Sequence, residues 1–167
     1  AYDAGKPVLE NITLDIKAGQ TVAFVGRTGA GKTTMVALLS RFFDVSKGSL
    51  TIDDHDIRDV TRNSLARQMG IVLQEPFQFS GSISENIRYN HTEATDDDIV
   101  SASKAVGIDD YIASLPEGYE TVMQERGGNM SLGQRQLVSF ARALVANPRI
   151  IILDEATANV DTQTEQL

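Results

Sequence analysis

The residues with the clearest capacity for chemistry are Gly26-Arg27-Thr28-Gly29-Ala30-Gly31-Lys32-Thr33-Thr34. They satisfy the pattern G-x-x-x-x-G-K-[ST] at every fixed position. Glycines there let successive backbone N–H groups turn inward with no Cβ in the way, which forms a concave nest for an anion. The start of a following helix adds partial positive charge. Lys32 can reach the outer phosphates of a bound nucleotide, and the Thr33 hydroxyl can join a Mg²⁺ shell. This is the chemistry of a nucleoside triphosphate site.

Further candidates come later in the chain. Asp154 follows the apolar run Ile150-Ile151-Ile152-Leu153, the pattern of a Mg²⁺-holding carboxylate at a strand end. Glu155 beside it could orient and deprotonate a water for in-line attack on a γ-phosphate. The structural alternative for the pair is a helix cap followed by a first-turn acid. Gln74, at the end of another apolar stretch, could coordinate Mg²⁺ or position water, or could simply face solvent. Ser131 and Gln134 have capping-box spacing. That arrangement also exposes helix N–H groups, hence a second possible phosphate site. His55 and His91 lie in polar, acidic stretches and are assigned no role.

The elements that must position these groups follow from periodicity. Thr21 to Val25 reads as a buried strand before the glycine loop, and Thr33 to Phe43 as an amphipathic helix after it. Val8 to Ile16 alternates like a strand. Ser49 to Ile52 reads as a short strand, Asp53 to Val60 as a polar connection, Asn63 to Gln68 as a short helix and Gly70 to Leu73 as a strand. From there the character turns helical: 82–89 and 96–106 behind capping boxes, 109–115, and a helix opened by Ser131 that ends before Pro148. Arg149 to Leu153 reads as a fully apolar strand. The predicted fold is α/β, a mainly parallel sheet flanked by helices, with a helical insertion. A parallel sheet with its ligand outside the carboxyl ends would gather 26–33, Gln74 and 154–155 at one edge.

Length and composition narrow the function classes. At 167 residues the chain is one ordinary domain able to bury a core. Its net charge of −8, from 23 acidic against 15 basic side chains, argues against a general nucleic-acid surface. The absence of cysteine excludes disulfides and thiolate metal sites. No apolar run approaches a membrane span and no signal-peptide pattern opens the sequence, so a membrane role is expected to come through a partner.

The order and spacing of these motifs resemble the nucleotide-binding domain of ATP-binding cassette (ABC) transporters over essentially the whole chain. Gln74 resembles the Q-loop, and Met130-Ser131-Leu132-Gly133-Gln134 resembles the family signature L-S-G-G-Q. Ile150 to Glu155 resembles the Walker B strand with its catalytic glutamate, and Ala158-Asn159-Val160-Asp161 the D-loop. The resemblance implies a P-loop NTPase fold, with 1–75 and 136–167 as the ATP-binding core and 76–135 as the helical signature subdomain. It places Tyr2 on the adenine. It implies ATP held by Gly26 to Thr34 with Gln74, Mg²⁺ held by Thr33, Gln74 and Asp154, and Glu155, Lys32 and Gln74 in catalysis. Gln124-Glu125-Arg126-Gly127 resembles the X-loop, and Phe79 to Ile87 the exporter sequence after the Q-loop. Both point to the exporter branch on the cytoplasmic face of a membrane, with a membrane domain docking on the region after Gln74. Two such domains would close head to tail on two ATP molecules, Ser131, Gly133 and Gln134 of one gripping the γ-phosphate held by the other.

The chain departs from the family pattern in two ways. Leu132 stands where the signature has its first glycine and Met130 where it has leucine. The family's switch histidine, expected after the D-loop, has no counterpart before Leu167, so a further C-terminal segment is expected and full turnover without it is in question. Three other readings carry their own signatures. A soluble relative acting in DNA repair or translation would need a basic surface. A regulatory half-site that binds ATP without cleaving it would lack Glu155. A GTPase would carry an N-K-x-D element after the glycine loop, and none is present.

Overall fold

Helix α1, Lys32–Leu39, begins where the glycine loop ends and closes with a paired hydrogen-bond pattern. The Arg41 N–H donates to the Leu38 carbonyl at 3.0 Å and the Phe42 N–H to that of Ala37 at 2.9 Å. This is the two-bond stop that usually places glycine in the left-handed conformation. Here Arg41 occupies that position with φ 52°. Its guanidinium compensates by donating from Nη1 to the carbonyls of Ile57 and Val60, both at 2.6 Å, and from Nη2 to that of Arg58 at 3.0 Å. Nε adds Asp44 Oδ1 at 3.1 Å.

The computed structural model describes residues 7–89, 91–123 and 129–154. They fall into two compact units, divided between Leu65 and Ala66. In the first unit, β1 (Thr51–Ile52) pairs antiparallel with β2 (His55–Asp56). The stretch after Ile52, expected as a plain connection, is this hairpin. Its two-residue turn, Asp53-Asp54, takes φ 49° and 64°, the mirror-image geometry that matches strand twist. Helix α2, Arg62–Ala66, ends at the division and is opened by Thr61, whose Oγ1 accepts the Ser64 N–H at 3.1 Å.

Two expected strands of this unit are not found among the described residues. Neither Val8 to Ile16 nor Thr21 to Val25 has a ladder among the described residues, and Val25 is 95% exposed. Alternation and β-branching describe side chains that suit a sheet, but a strand exists only with a hydrogen-bonded neighbour.

In the second unit, β3 (Met69–Val72) and β6 (Ile150–Leu153) run parallel, with Met69 opposite Ile150 and Val72 opposite Leu153. The Asp154 N–H extends the ladder by donating to the Val72 carbonyl at 3.0 Å. A second, antiparallel pair joins β4 (Gly81–Ser82) to β5 (Val122–Met123). Around them lie α3 (Ile83–Arg88), α4 (Asp96–Ala105), α5 (Asp109–Ser114), a 3₁₀ turn (Gly118–Glu120) and α6 (Leu132–Val145). Their apolar faces meet in one core of Ile83, Ile87, Ile99, Ile108, Ile112, Met123, Met130, Val138 and Ala141.

Each helix start expected from capping-box spacing is realised. Ser82 caps with Glu85, Thr95 with Asp98 and Ser131 with Gln134, and in each case both reciprocal bonds are present. Helix α6 ends at Val145, and Asn147 takes φ 46° ahead of Pro148. Gly70 allows β3 and α6 to approach closely: a Cβ there would lie 2.8 Å from the Ala143 carbonyl oxygen. No helix among the described residues is long and apolar enough to cross a membrane.

Candidate functional site

The glycine loop lies wholly in the first unit. Ala30 N–H donates to the Arg27 carbonyl at 3.0 Å, closing a tight turn. Gly29 and Gly31 both need the left-handed region, with φ 84° and 93°. A Cβ on Gly29 would meet nothing within 4 Å, so the loop is open on that side. A Cβ on Gly31 would fall 2.7 Å from Leu9 Cδ2, so the loop also leans on Leu9. Gly31 is the N-cap of α1, and no side chain caps the helix there. The first-turn N–H groups of α1 are therefore the donors that an anion would meet. Lys32 arches back over the loop and donates from Nζ to the Gly26 carbonyl at 2.9 Å. Arg27, Thr28 and Thr33 are exposed and Thr34 is half-buried.

The second unit holds the other described candidates in two groups. Gln74, exposed, and Asp154, half-buried, both lie just past the carboxyl end of the β3–β6 ladder. The expected convergence at that edge is therefore realised for these two. Ser131, Gly133 and Gln134 form the other group, at the start of α6. Ser131 Oγ accepts the Gln134 N–H at 3.2 Å, and the Ser131 N–H donates to Gln134 Oε1 at 2.8 Å. The exposed hydroxyl accepts in this arrangement, so its own proton is not used by the cap. Leu132 sits in the first turn of α6, 40% exposed, in ordinary helical backbone that asks for no glycine. Tyr2, Glu155, the X-loop-like stretch 124–127 and the D-loop-like 158–161 lie outside the described residues.

One grouping was not foreseen from sequence. Gln78, 2% exposed, donates from Nε2 to the Arg135 carbonyl at 2.7 Å and to Ser139 Oγ at 3.1 Å, both on α6. Its Oε1 accepts from Arg142 Nη2 at 2.8 Å. Arg142 also donates from Nε to the Asn86 carbonyl at 2.7 Å and from Nη1 to that of Phe77 at 2.9 Å. Its guanidinium lies 5.2 Å from the Phe79 ring centroid and 5.9 Å from that of Tyr89, and those two rings stack at 3.9 Å. Burial pushes Arg142 down to about 10, which leaves it cationic at neutral pH. The available signal was Ser139 and Arg142, a polar pair at spacing i, i+3 along an otherwise largely apolar stretch of α6.

Comparison with known proteins decides the family. The family model described as ABC transporter matches residues 9–158. The chain belongs to the ABC transporter family. An uncharacterized ABC transporter ATP-binding protein of Bacillus subtilis, YknV, is 52% identical over 99% of this chain and 27% of its own length. A fatty acid ABC transporter ATP-binding/permease protein of Mycobacterium bovis is 48% identical over 100% of this chain and 26% of its own. The solved structure of a bacterial Atm1-family ABC exporter with ATP bound matches with a TM-score of 0.94 at 43% identity. That match covers 99% of this chain and 29% of the exporter chain. The fold is therefore that of the ABC ATPases, the P-loop NTPase fold expected from the motifs. The chain spans about a quarter of the length of the curated relatives it matches.

Proposed function

We propose that the chain binds and hydrolyses Mg-ATP to drive export across a membrane, as the ATPase domain of an ABC exporter. The observation that carries this reading is the glycine loop: two left-handed glycines, a helix start without a side-chain cap and Lys32 folded over its mouth. Those features fit a triphosphate, because they supply backbone donors, a helix-end field and one cation. The ATP bound by the similar Atm1-family exporter supports the same ligand.

In this reading Gly26 to Thr34 hold the phosphates and Tyr2 stacks on the adenine. Thr33, Gln74 and Asp154 offer a hydroxyl, an amide oxygen and a carboxylate, the hard oxygen donors that suit Mg²⁺. The ion would supply charge neutralisation on the phosphates. Glu155 aligns the attacking water and takes its proton, with Gln74 helping to position it. Lys32 stabilises the charge that develops on the transferred group.

The exposed Ser131 hydroxyl, which accepts from the Gln134 N–H and still has a proton to donate, supports the second half of the proposal. Ser131, Gly133 and Gln134 of one domain meet the γ-phosphate held by a second domain, identical or different, so that two sites form head to tail. Residues 76–135 act as the helical signature subdomain on a core of 1–75 and 136–167. The face after Gln74 receives the membrane domain at the cytoplasmic side. Exposed Phe77 and Tyr89, at 56% and 48%, suit it to an apolar partner.

Lys32→Ala is expected to abolish Mg-ATP binding in a titration calorimetry experiment. Glu155→Gln is expected to keep binding and lose hydrolysis, and normal turnover in that variant would remove Glu155 from its role.

A further inference from the structure

We infer that Arg142 is a positioning residue that locks the irregular segment Phe77 to Phe79 onto α6, so that the aromatic face and the signature helix move as one piece. The inference deepens the proposed docking role of that face and rests on it for its purpose, though not for its test.

The segment lies outside any helix or strand, so its backbone groups need partners from elsewhere. Side chains supply them. Asn86 Oδ1 accepts the Phe79 N–H at 2.8 Å and its Nδ2 donates to the Phe79 carbonyl at 2.9 Å. Arg142 takes the Phe77 carbonyl, the Gln78 amide oxygen and the Asn86 carbonyl, with Asn86 Oδ1 as a fourth acceptor at 3.0 Å. All four bonds go to neutral oxygens, and the aromatic faces of Phe79 and Tyr89 complete the surroundings of the cation. A guanidinium placed this way is a planar fork that fixes several acceptors at once. A lysine ammonium carries the charge without that fork. Arg142 thus joins α6 to the segment, to α3 and to both stacked rings through a single side chain.

The chain contains no tryptophan, so Phe77→Trp installs a single local reporter at an exposed ring position. In that background Arg142→Lys is expected to raise acrylamide quenching of the introduced indole about twofold or more while the far-ultraviolet circular dichroism is kept, because local order is lost without global unfolding. Ser139→Ala is the control. It removes one α6 partner of Gln78 and leaves every Arg142 bond, so quenching of the reporter stays within about 1.5-fold of the parent. Unchanged quenching in Arg142→Lys, or an equal rise in Ser139→Ala, would overturn the inference.

A measurement on the unmutated chain keeps the test independent of how Arg142→Lys folds. Nitrogen-15 NMR of the arginine side chains should show slowed guanidinium rotation and protected Nη protons for Arg142. A single averaged Nη signal there would equally overturn it. Neither readout involves nucleotide or membrane, so a failure of the export reading would appear separately, as absent ATP binding.

Discussion

Arg41 shows how one residue can offset a backbone penalty with side-chain chemistry. A left-handed non-glycine residue costs about 1 kcal/mol, which glycine would avoid. Yet Arg41 cages the carbonyls of Ile57, Arg58 and Val60, and hydrogen bonds from a charged donor stabilise by about 1.5–3 kcal/mol each. Arg41→Gly therefore relieves the smaller term and loses the larger. It is expected to destabilise the chain by about 3 kcal/mol or more in urea unfolding. A second residue-scale effect is a pH response. Side-chain and backbone bonds from Arg58 pull the Asp56 carboxyl down from an ordinary 3.8 to about 2. The folded form then binds the proton less readily than the unfolded chain. The contribution of this pair to stability is present above about pH 4 and is lost as pH falls toward 2. Acid unfolding of Asp56→Asn should lack that part of the wild-type slope, and an identical acid limb would contradict it. Motifs that fix both type and spacing singled out Lys32, Ser131 and Asp154 in the sequence, and the structure places them at the start of α1, at the cap of α6 and just past β6. Arg142 was not singled out, because its role depends on acceptors more than fifty positions away in sequence.

At the scale of elements, helices were more legible than strands for a physical reason. A helix satisfies its own backbone, so the local signals at Ser82, Thr95 and Ser131 suffice to open α3, α4 and α6. A strand is completed by a partner, and the segments around Val8 to Ile16 and Thr21 to Val25 show strand-like side chains without a ladder among the described residues. The β1–β2 hairpin escaped because two aspartates, not an Asn-Gly pair, supply its positive φ values. Between elements, Gly70 makes a tight contact in the second unit. The atom facing it is the Ala143 backbone oxygen, which has no rotamer to move away. Gly70→Ala is expected to cost about 1–3 kcal/mol by forcing β3 away from α6. Thermal unfolding of the variant measures this, and an unchanged midpoint would show that the two elements slide apart freely.

At the scale of the molecule, the candidate residues divide between the two units: the glycine loop in the first, and Gln74, Asp154 and the Ser131 group in the second. Family membership accounts for both groups occurring in one chain. The proposed head-to-tail pairing gives the Ser131 group its role, because its hydroxyl then meets the phosphate held by a second domain, identical or different. The same reading explains why an acidic chain can handle a polyanion: backbone donors and Lys32 do the binding, so no broad basic surface is needed.

The most direct test is Mg-ATP turnover per subunit across a range of protein concentrations, with Glu155→Gln as the blank. The account predicts a specific rate that climbs with concentration as paired sites assemble, and that Ser131→Arg removes the climb. A rate above the blank yet independent of concentration would contradict it, because each chain would then hydrolyse ATP alone.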